Sequence, residues 1–127
     1  MSREYVLKDD DFLVSQTDKS GRILFANEDF CRVAGYTIDE LVGKAHSIVR
    51  HLDMPAAAFK ELWDTVRTGK VWTGYVKNSI SGGGYYWVYA TVYPFKGCGS
   101  EEGYMSCRRK ASKDEIAAAE ALYKTLR

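Results

Sequence analysis

Several residues near the middle of the chain could bind an anion or the polar edge of a ring. Arg50 and His51 are adjacent and precede Pro55, which is typical of a helix start. A guanidinium offers paired donors in one plane, which suits phosphate, and a helix N-terminus also favours anions. Asn78 falls in a strand-like segment that disfavours asparagine, and its amide both donates and accepts. The alternative is a solvated basic turn, with His51 neutral and Arg50 paired to Asp53.

Aromatic residues could supply the walls of such a site. The chain has nine tyrosines and three tryptophans, most of them in its second half. Phe59 and Trp63 lie on one stripe of a predicted helix, and Trp72 lies in the strand-like segment that follows. These three side chains suit a slot for a flat ring, and packing in an ordinary core explains them equally well.

Composition excludes several classes of function. Eighteen basic and seventeen acidic residues give a net charge of +1, which does not favour nucleic acid as a partner. The three cysteines, Cys31, Cys98 and Cys107, have no metal-ligand spacing, so we expect reduced thiols and no metal site. No phosphate loop or Gly-x-Ser-x-Gly motif is present, so we predict that the chain is not an enzyme. The sequence has no long apolar run and no signal peptide, which favours a cytoplasmic domain with no direct membrane insertion.

The elements that position these residues form one α+β unit. A hairpin is followed by a short helix capped by Asn27, a helix with a capping box at Thr37, and a longer helix from Pro55. Three antiparallel strands come next, joined by Ser81–Gly84 and by the glycine-rich loop Gly97–Gly103, and Ser112 caps a closing amphipathic helix. A five-stranded antiparallel sheet with short helices on one face would leave a pocket between the two layers.

That order, and the segments 21–30 and 34–44, resemble a PAS domain over almost the whole chain. A more specific similarity lies in residues 46–59, which resemble the Arg-His-Pro-Asp-Met-Pro segment of aerotaxis-type receptors, with Leu52 where that family usually has proline. Residues 72–78, 86–88, 103–106 and 111–126 support the resemblance. It implies a PAS sensor domain over residues 1–111 and a signalling helix over residues 112–127.

The resemblance also implies a cofactor, because aerotaxis-type receptors sense cellular redox state through FAD. Arg50 and His51 would then contact the phosphates or the polar edge of the nucleotide, and Asn78 would face the flavin edge. Asp53 would orient Arg50, accept from a ribose hydroxyl, or cap the helix. Asn27 could resemble Asn78 in its role, but its capping position explains it. His46 is either a loop histidine or a contact to flavin or haem.

Three functions remain open on the sequence. The first is an FAD-binding redox sensor that signals to a chemoreceptor signalling domain or another PAS or HAMP-type domain. FMN is an alternative cofactor. The second is a gas sensor that binds haem b through His46 or His51. The third is a ligand-free interaction module, and a homodimer is possible in each case. The stretch from His46 to Met54 contains no cysteine, which disfavours light-driven adduct chemistry.

Overall fold

Alternating apolar and polar residues build an antiparallel sheet around which the helices pack. The computed structural model describes residues 3–96 and 102–126. The elements in these ranges are the strands β1 Phe12–Asp18, β2 Ile23–Ala26, β3 Trp72–Ser79, β4 Tyr85–Lys96 and β5 Glu102–Arg109, and the helices α1 Glu28–Ala34, α2 Ile38–Leu41, α3 Ala56–Arg67 and α4 Lys113–Leu126, with a 3-10 turn at His46–Val49. The five strands lie in the order β2-β1-β5-β4-β3.

Side chains alternate between the two faces of the sheet as the sequence predicts. Tyr86, Val88, Ala90 and Val92 of β4 are buried on the face toward α3. The opposite face is covered by α4, where Tyr123 stacks on Trp87 with ring centroids 6.3 Å apart. The C-terminal helix and the other helices therefore bury different faces of one sheet.

Side-chain caps fix where the short helices begin. Oδ1 of Asn27 accepts from the amides of Phe30 and Val14, each at 3.0 Å, and its amide donates to the Phe12 carbonyl at 2.8 Å. Asn27 thus joins α1 to β1, which confirms its capping interpretation. The predicted capping boxes at Thr37 and Ser112 are also present.

Two local predictions differ from the structure. Pro55 caps α3 and is not its first helical residue, because its ψ of 144° is extended. The last strand begins at Glu102, two residues before the predicted start. Most of the predicted loop Gly97–Gly103, including Cys98, lies outside the described residues.

The segment before α3 closes the free edge of the sheet. Arg50 forms an isolated bridge with Asn78 of β3, and the Lys77 amide lies 3.3 Å from Sδ of Met54. A backbone bridge and a backbone-to-side-chain contact thus hold residues 50–54 against the edge strand. Within the described ranges, no helix is long and apolar enough to cross a membrane.

Candidate ligand cavity

A cavity of about 280 Å³ lies between the sheet and α3. Its volume lies just below the range of about 300–1,000 Å³ that is usual for small-molecule sites. Its lining comprises Thr17, Ser20, Gly21, Ala45, His46, Ser47, Arg50, Phe59, Leu62, Trp63, Arg67, Val76, Asn78, Ala90, Val92, Tyr104, Ser106 and Arg108. No aspartate or glutamate is among these residues, so the charged side chains that face the cavity are basic.

One wall of the cavity is the apolar stripe of α3. Phe59, Leu62 and Trp63 reach it because residues three and four apart share a helix face. The Trp63 ring packs edge-on against Tyr104 at 5.4 Å between centroids. Gly21 approaches the same indole closely, since a Cβ at that position would lie 3.4 Å from Cη2. Two of the predicted slot residues, Phe59 and Trp63, therefore line the cavity.

Two exposed guanidinium groups stand at the solvent side of the cavity. The Arg50 guanidinium lies over the Phe59 ring, 3.7 Å from its centroid, and that of Arg67 lies 5.3 Å from the Trp63 ring. Each cation is thus held over an aromatic side chain that also lines the cavity. Partial burial lowers the pKa of Arg50 from its ordinary value. The two groups could together bind an anionic ligand group such as phosphate.

The closed end of the cavity carries a third guanidinium. Arg108 of β5 is 3% exposed. Its Nη2 donates to Oγ of Ser15 at 2.9 Å and to Nε2 of His46 at 2.7 Å, and its Cζ lies 5.0 Å from the Phe30 ring centroid. Burial and the neighbouring Arg108 charge lower the pKa of His46 to about 3, so its imidazole is neutral near pH 7.

The edge strand supplies an amide to the cavity. Asn78 is 3% exposed, lines the cavity and pairs in register with Tyr86 of β4. Burial raises the pKa of Tyr86 to about 12, an effect that the nearby Arg108 charge and Asn78 partly offset. Among the described residues, two buried polar atoms have no hydrogen-bond partner of good geometry: Oη of Tyr86 and Nη1 of Arg108. Buried polar atoms are nearly always paired, so Arg108, which lines the cavity, has unused hydrogen-bonding capacity.

The other sequence-predicted residues lie away from the cavity lining. Asp53 pairs with Nζ of Lys77 at 2.6 Å and not with Arg50, and Nδ1 of His51 accepts from the Asp53 amide at 3.0 Å. Trp72 lies over Gly74, and its Nε1 donates to Glu61 at 2.9 Å. Asn27 is occupied in its cap. The structure thus brings together Arg50, His46, Asn78, Phe59 and Trp63, and separates His51, Asp53, Trp72 and Asn27 from them.

Arg108, Ser106 and Tyr104 are cavity residues that the sequence pattern does not single out. All three lie on one face of β5, at alternate positions. The available signal was the arginine itself, because a charged residue on the inward face of a predicted strand is rare unless it has a partner. This face of β5 is buried because β5 lies in the middle of the sheet, between β1 and β4. That position is known only from the order of the strands.

The residues present fit a planar ligand with a phosphate-bearing tail. The aromatic wall, the Asn78 amide and the unpaired Nη1 donor of Arg108 would receive a heteroaromatic ring. Arg50 and Arg67 would face the tail. Within the described ranges, no group of three or more His, Cys, Asp or Glu residues is arranged to hold a metal ion.

Comparison with known proteins identifies the fold. A family profile described as the PAS fold matches residues 23–107. The dark-state structure of the blue-light photoreceptor Aureochrome1 LOV superposes with a TM-score of 0.71 at 16% identity, over 91% of this chain and 85% of that chain. A light-oxygen-voltage domain studied with a flavin analogue gives 0.69 at 20% identity, over 90% and 84%. These likenesses show the shared fold.

Relatives in sequence are sensory and regulatory proteins. The chain is 48% identical over 120 residues to an aerotaxis receptor of Escherichia coli, covering 94% of this chain and 24% of that receptor. It is 29% identical over 100 residues to a nitrogen fixation regulatory protein of Klebsiella oxytoca, covering 78% and 20%. The chain therefore spans a quarter or less of the length of these relatives. The profile match and the fold together show that this chain belongs to the PAS family.

Proposed function

We propose that this PAS domain binds FAD without a covalent bond and reports the redox state of the flavin to a signalling partner. The observation that carries the proposal is the distribution of charge around the cavity. A buried guanidinium stands at the closed end, two exposed guanidiniums stand at the solvent side, and aromatic side chains lie between them. A flavin nucleotide has the matching order of groups: a planar ring, a linker and phosphates.

Each residue of the cavity has a definite role in this proposal. Phe59 and Trp63 provide apolar surface, and Asn78 provides an amide for the polar edge of the ring. Arg50 and Arg67 bind phosphate, and two guanidiniums favour the pyrophosphate of FAD over the single phosphate of FMN. His51 and Asp53 act indirectly, by holding the segment that carries Arg50. When bound, the flavin supplies a reversible store of electrons.

A route from the cavity to the opposite face runs through β3. Asn78 faces the cavity, while Tyr75 of the same strand contacts α4: its hydroxyl donates to Glu115, and its carbonyl accepts from the Tyr123 hydroxyl at 2.6 Å. A shift of β3 would therefore displace the contacts that hold α4. We propose that residues 1–111 sense and that residues 112–127 signal to a chemoreceptor signalling domain, another PAS or HAMP-type domain, or a second copy of the chain.

The domain is proposed to be a cytoplasmic sensor and not an enzyme. Its relatives are, by name, a receptor and regulatory proteins. The 48% identity to an aerotaxis receptor supports redox or energy sensing as the signal. In this role, the electrons that enter the flavin change the state of the protein and are not passed to a substrate.

The test is the visible spectrum of the purified full chain, before and after reconstitution with FAD. We expect two broad flavin bands that bleach with dithionite, and FAD on release from the protein. A protein that stays colourless after reconstitution contradicts the proposal. The ligand-free interaction module would then be the remaining function. A Soret band would instead identify the haem sensor, and release of FMN would correct the cofactor.

Matched variants test the residues. Loss of one charged hydrogen-bond donor weakens binding by about 1.5–3 kcal/mol, roughly ten- to a hundredfold. We expect losses of this order in FAD affinity for Arg50→Gln and Arg67→Gln, and a loss in Asn78→Ala. Lys60→Gln is the control. Lys60 is an exposed cation on α3, the helix that carries Arg67, and it pairs with Asp64. Equal affinities in the control and in all three variants would place the flavin elsewhere.

A further inference from the structure

Arg108 is a buried cation whose hydrogen-bond partners are neutral. It lies on the central strand β5, opposite Leu13 of β1 and Ala90 of β4. Nη2 contacts Ser15 and His46, and Nη1 has no partner among the described residues. The Arg108 pKa falls to about 10 through burial, so the group still carries its charge at neutral pH.

Nothing described in the structure balances this charge with a carboxylate. A buried charge is normally paired with an opposite charge, because removing it from water costs several kcal/mol. The buried carboxylate of Asp11 pairs with Arg32, and Asp53 pairs with Lys77. The Phe30 ring contributes only a weak cation–π attraction. Arg108 therefore lines the cavity with an uncompensated positive charge.

We propose that Arg108 stabilises the negatively charged reduced form of the bound flavin and thereby sets its midpoint potential. This inference rests on the proposed function. The oxidised flavin ring is neutral. Uptake of two electrons from an external reductant, dithionite in the test, and of one proton from water leaves the ring with one negative charge. That charge is attracted to Arg108 across a medium of low dielectric constant, whereas the oxidised ring gains little from it.

The test compares midpoint potentials of the full chain loaded with FAD. Arg108→Gln keeps a hydrogen-bond donor and removes the charge, and we expect at least a tenfold lower ratio of reduced to oxidised flavin at a given potential. A tenfold change corresponds to about 30 mV for a two-electron couple and 59 mV for a one-electron couple. Arg108→Lys keeps the charge, and its ratio should stay within threefold of the unmodified chain.

Arg109→Gln is the matched control. Arg109 follows Arg108 directly but lies on the other face of the sheet, where it is exposed and its guanidinium lies 4.4 Å from the Tyr89 ring. The substitution changes the net charge by the same amount, and we expect a change below threefold. Equal shifts in Arg108→Gln and Arg109→Gln would overturn the proposal, as would an unchanged potential in Arg108→Gln.

Weak flavin retention in Arg108→Gln does not remove the test. Titration with oxidised and with reduced FAD gives two dissociation constants, and reduced FAD should lose at least tenfold more affinity than oxidised FAD. If Arg108→Gln does not fold, a folded Arg108→Lys with a tenfold lower ratio overturns the proposal. If the unmodified chain binds neither oxidised nor reduced FAD, the proposed function is overturned as well. Binding of both forms with an unchanged ratio overturns this inference alone.

Discussion

Nη2 of Arg108 lies 2.7 Å from Nε2 of His46. An arginine side chain can only donate, so Nε2 must accept, and the proton of the neutral imidazole lies on Nδ1. This contact determines both the tautomer and the charge of His46. It also occupies Nε2, one of the two ring nitrogens through which a histidine can bind haem iron.

The His46 contact predicts how stability depends on pH. The folded-state pKa of His46 is about 3, below its ordinary value of 6.5. Between these values the unfolded chain binds a proton that the folded chain does not, so stability falls as the pH decreases. We expect a loss of about 2 kcal/mol from this residue between pH 6.5 and pH 4.5. Urea unfolding at several pH values measures it.

The comparison is with His46→Gln, which can still accept a hydrogen bond from Arg108 and does not titrate. Other groups contribute the same pH dependence to both proteins, so the difference in slope isolates His46. The free energy of unfolding should fall less steeply in the variant. Parallel slopes for the two proteins would show that folding does not lower the pKa of His46.

The pair of Asp53 and Lys77 is predicted to hold the segment that carries Arg50. The Lys77 side chain is 9% exposed, and its ammonium contacts Asp53 and lies 4.4 Å from the Tyr85 ring centroid. Asp53→Asn removes the charge that balances a largely buried cation, so we expect a loss of about 1–3 kcal/mol in unfolding free energy. FAD affinity should fall as well, because Arg50 loses its support.

Asp64→Asn is the control for this pair. Asp64 forms an exposed ion pair with Lys60 on α3, and such surface pairs contribute little. We expect a change below about 0.5 kcal/mol. If both substitutions have equally small effects on urea unfolding and on FAD affinity, the segment before α3 does not depend on the ion pair of Asp53 and Lys77.

We predict that residue 74 must be glycine because the Trp72 ring lies against it. A Cβ on Gly74 would lie 2.5 Å from Cη2 of that indole, so Gly74→Ala must displace the ring. Overpacking of this kind costs about 1–3 kcal/mol. In a Trp72→Leu background the same substitution should cost much less, and a double-mutant cycle by urea unfolding measures the difference. Additive effects would show that the ring does not limit the position.

The hydroxyl of Tyr123 is predicted to help hold α4 on the sheet. It donates to the Tyr75 carbonyl at 2.6 Å, while the ring stacks on Trp87. Tyr123→Phe keeps the stacking and removes the hydrogen bond, at a cost of about 1 kcal/mol. Amide exchange in residues 113–126 should become faster. Leu122→Ala is the control on the same helix, because Leu122 is 57% exposed, and it should leave the exchange rates nearly unchanged.

The sequence pattern was sufficient for the helices and strands because its signals are local. Caps at Asn27, Thr37 and Ser112, the alternation in β4 and the stripe of α3 each depend on neighbours a few residues away. The same locality explains Phe59 and Trp63. Their helical spacing puts both on the face that packs on the sheet.

The site was harder to predict because its members meet only through the order of the strands. Arg108 reaches His46 because β5 lies between β1 and β4, and no short-range pattern indicates that order. His51 and Asp53 were expected beside Arg50 because they are its neighbours in sequence. The chain turns at this point and aims them at Lys77 and Tyr85 instead. Trp72 shares the inward face of β3, but its indole turns toward Glu61.

The position of β3 at the margin of the sheet gives the cavity one stiff wall and one compliant wall. Arg108 is anchored on a strand with a hydrogen-bonded neighbour on each side, whereas Asn78 is on a strand with one such neighbour and a single bridge at Arg50. A change in a ligand inside the cavity would therefore displace the Asn78 amide more than the Arg108 guanidinium. We therefore expect the largest ligand-dependent movement in β3, the strand whose Tyr75 contacts α4.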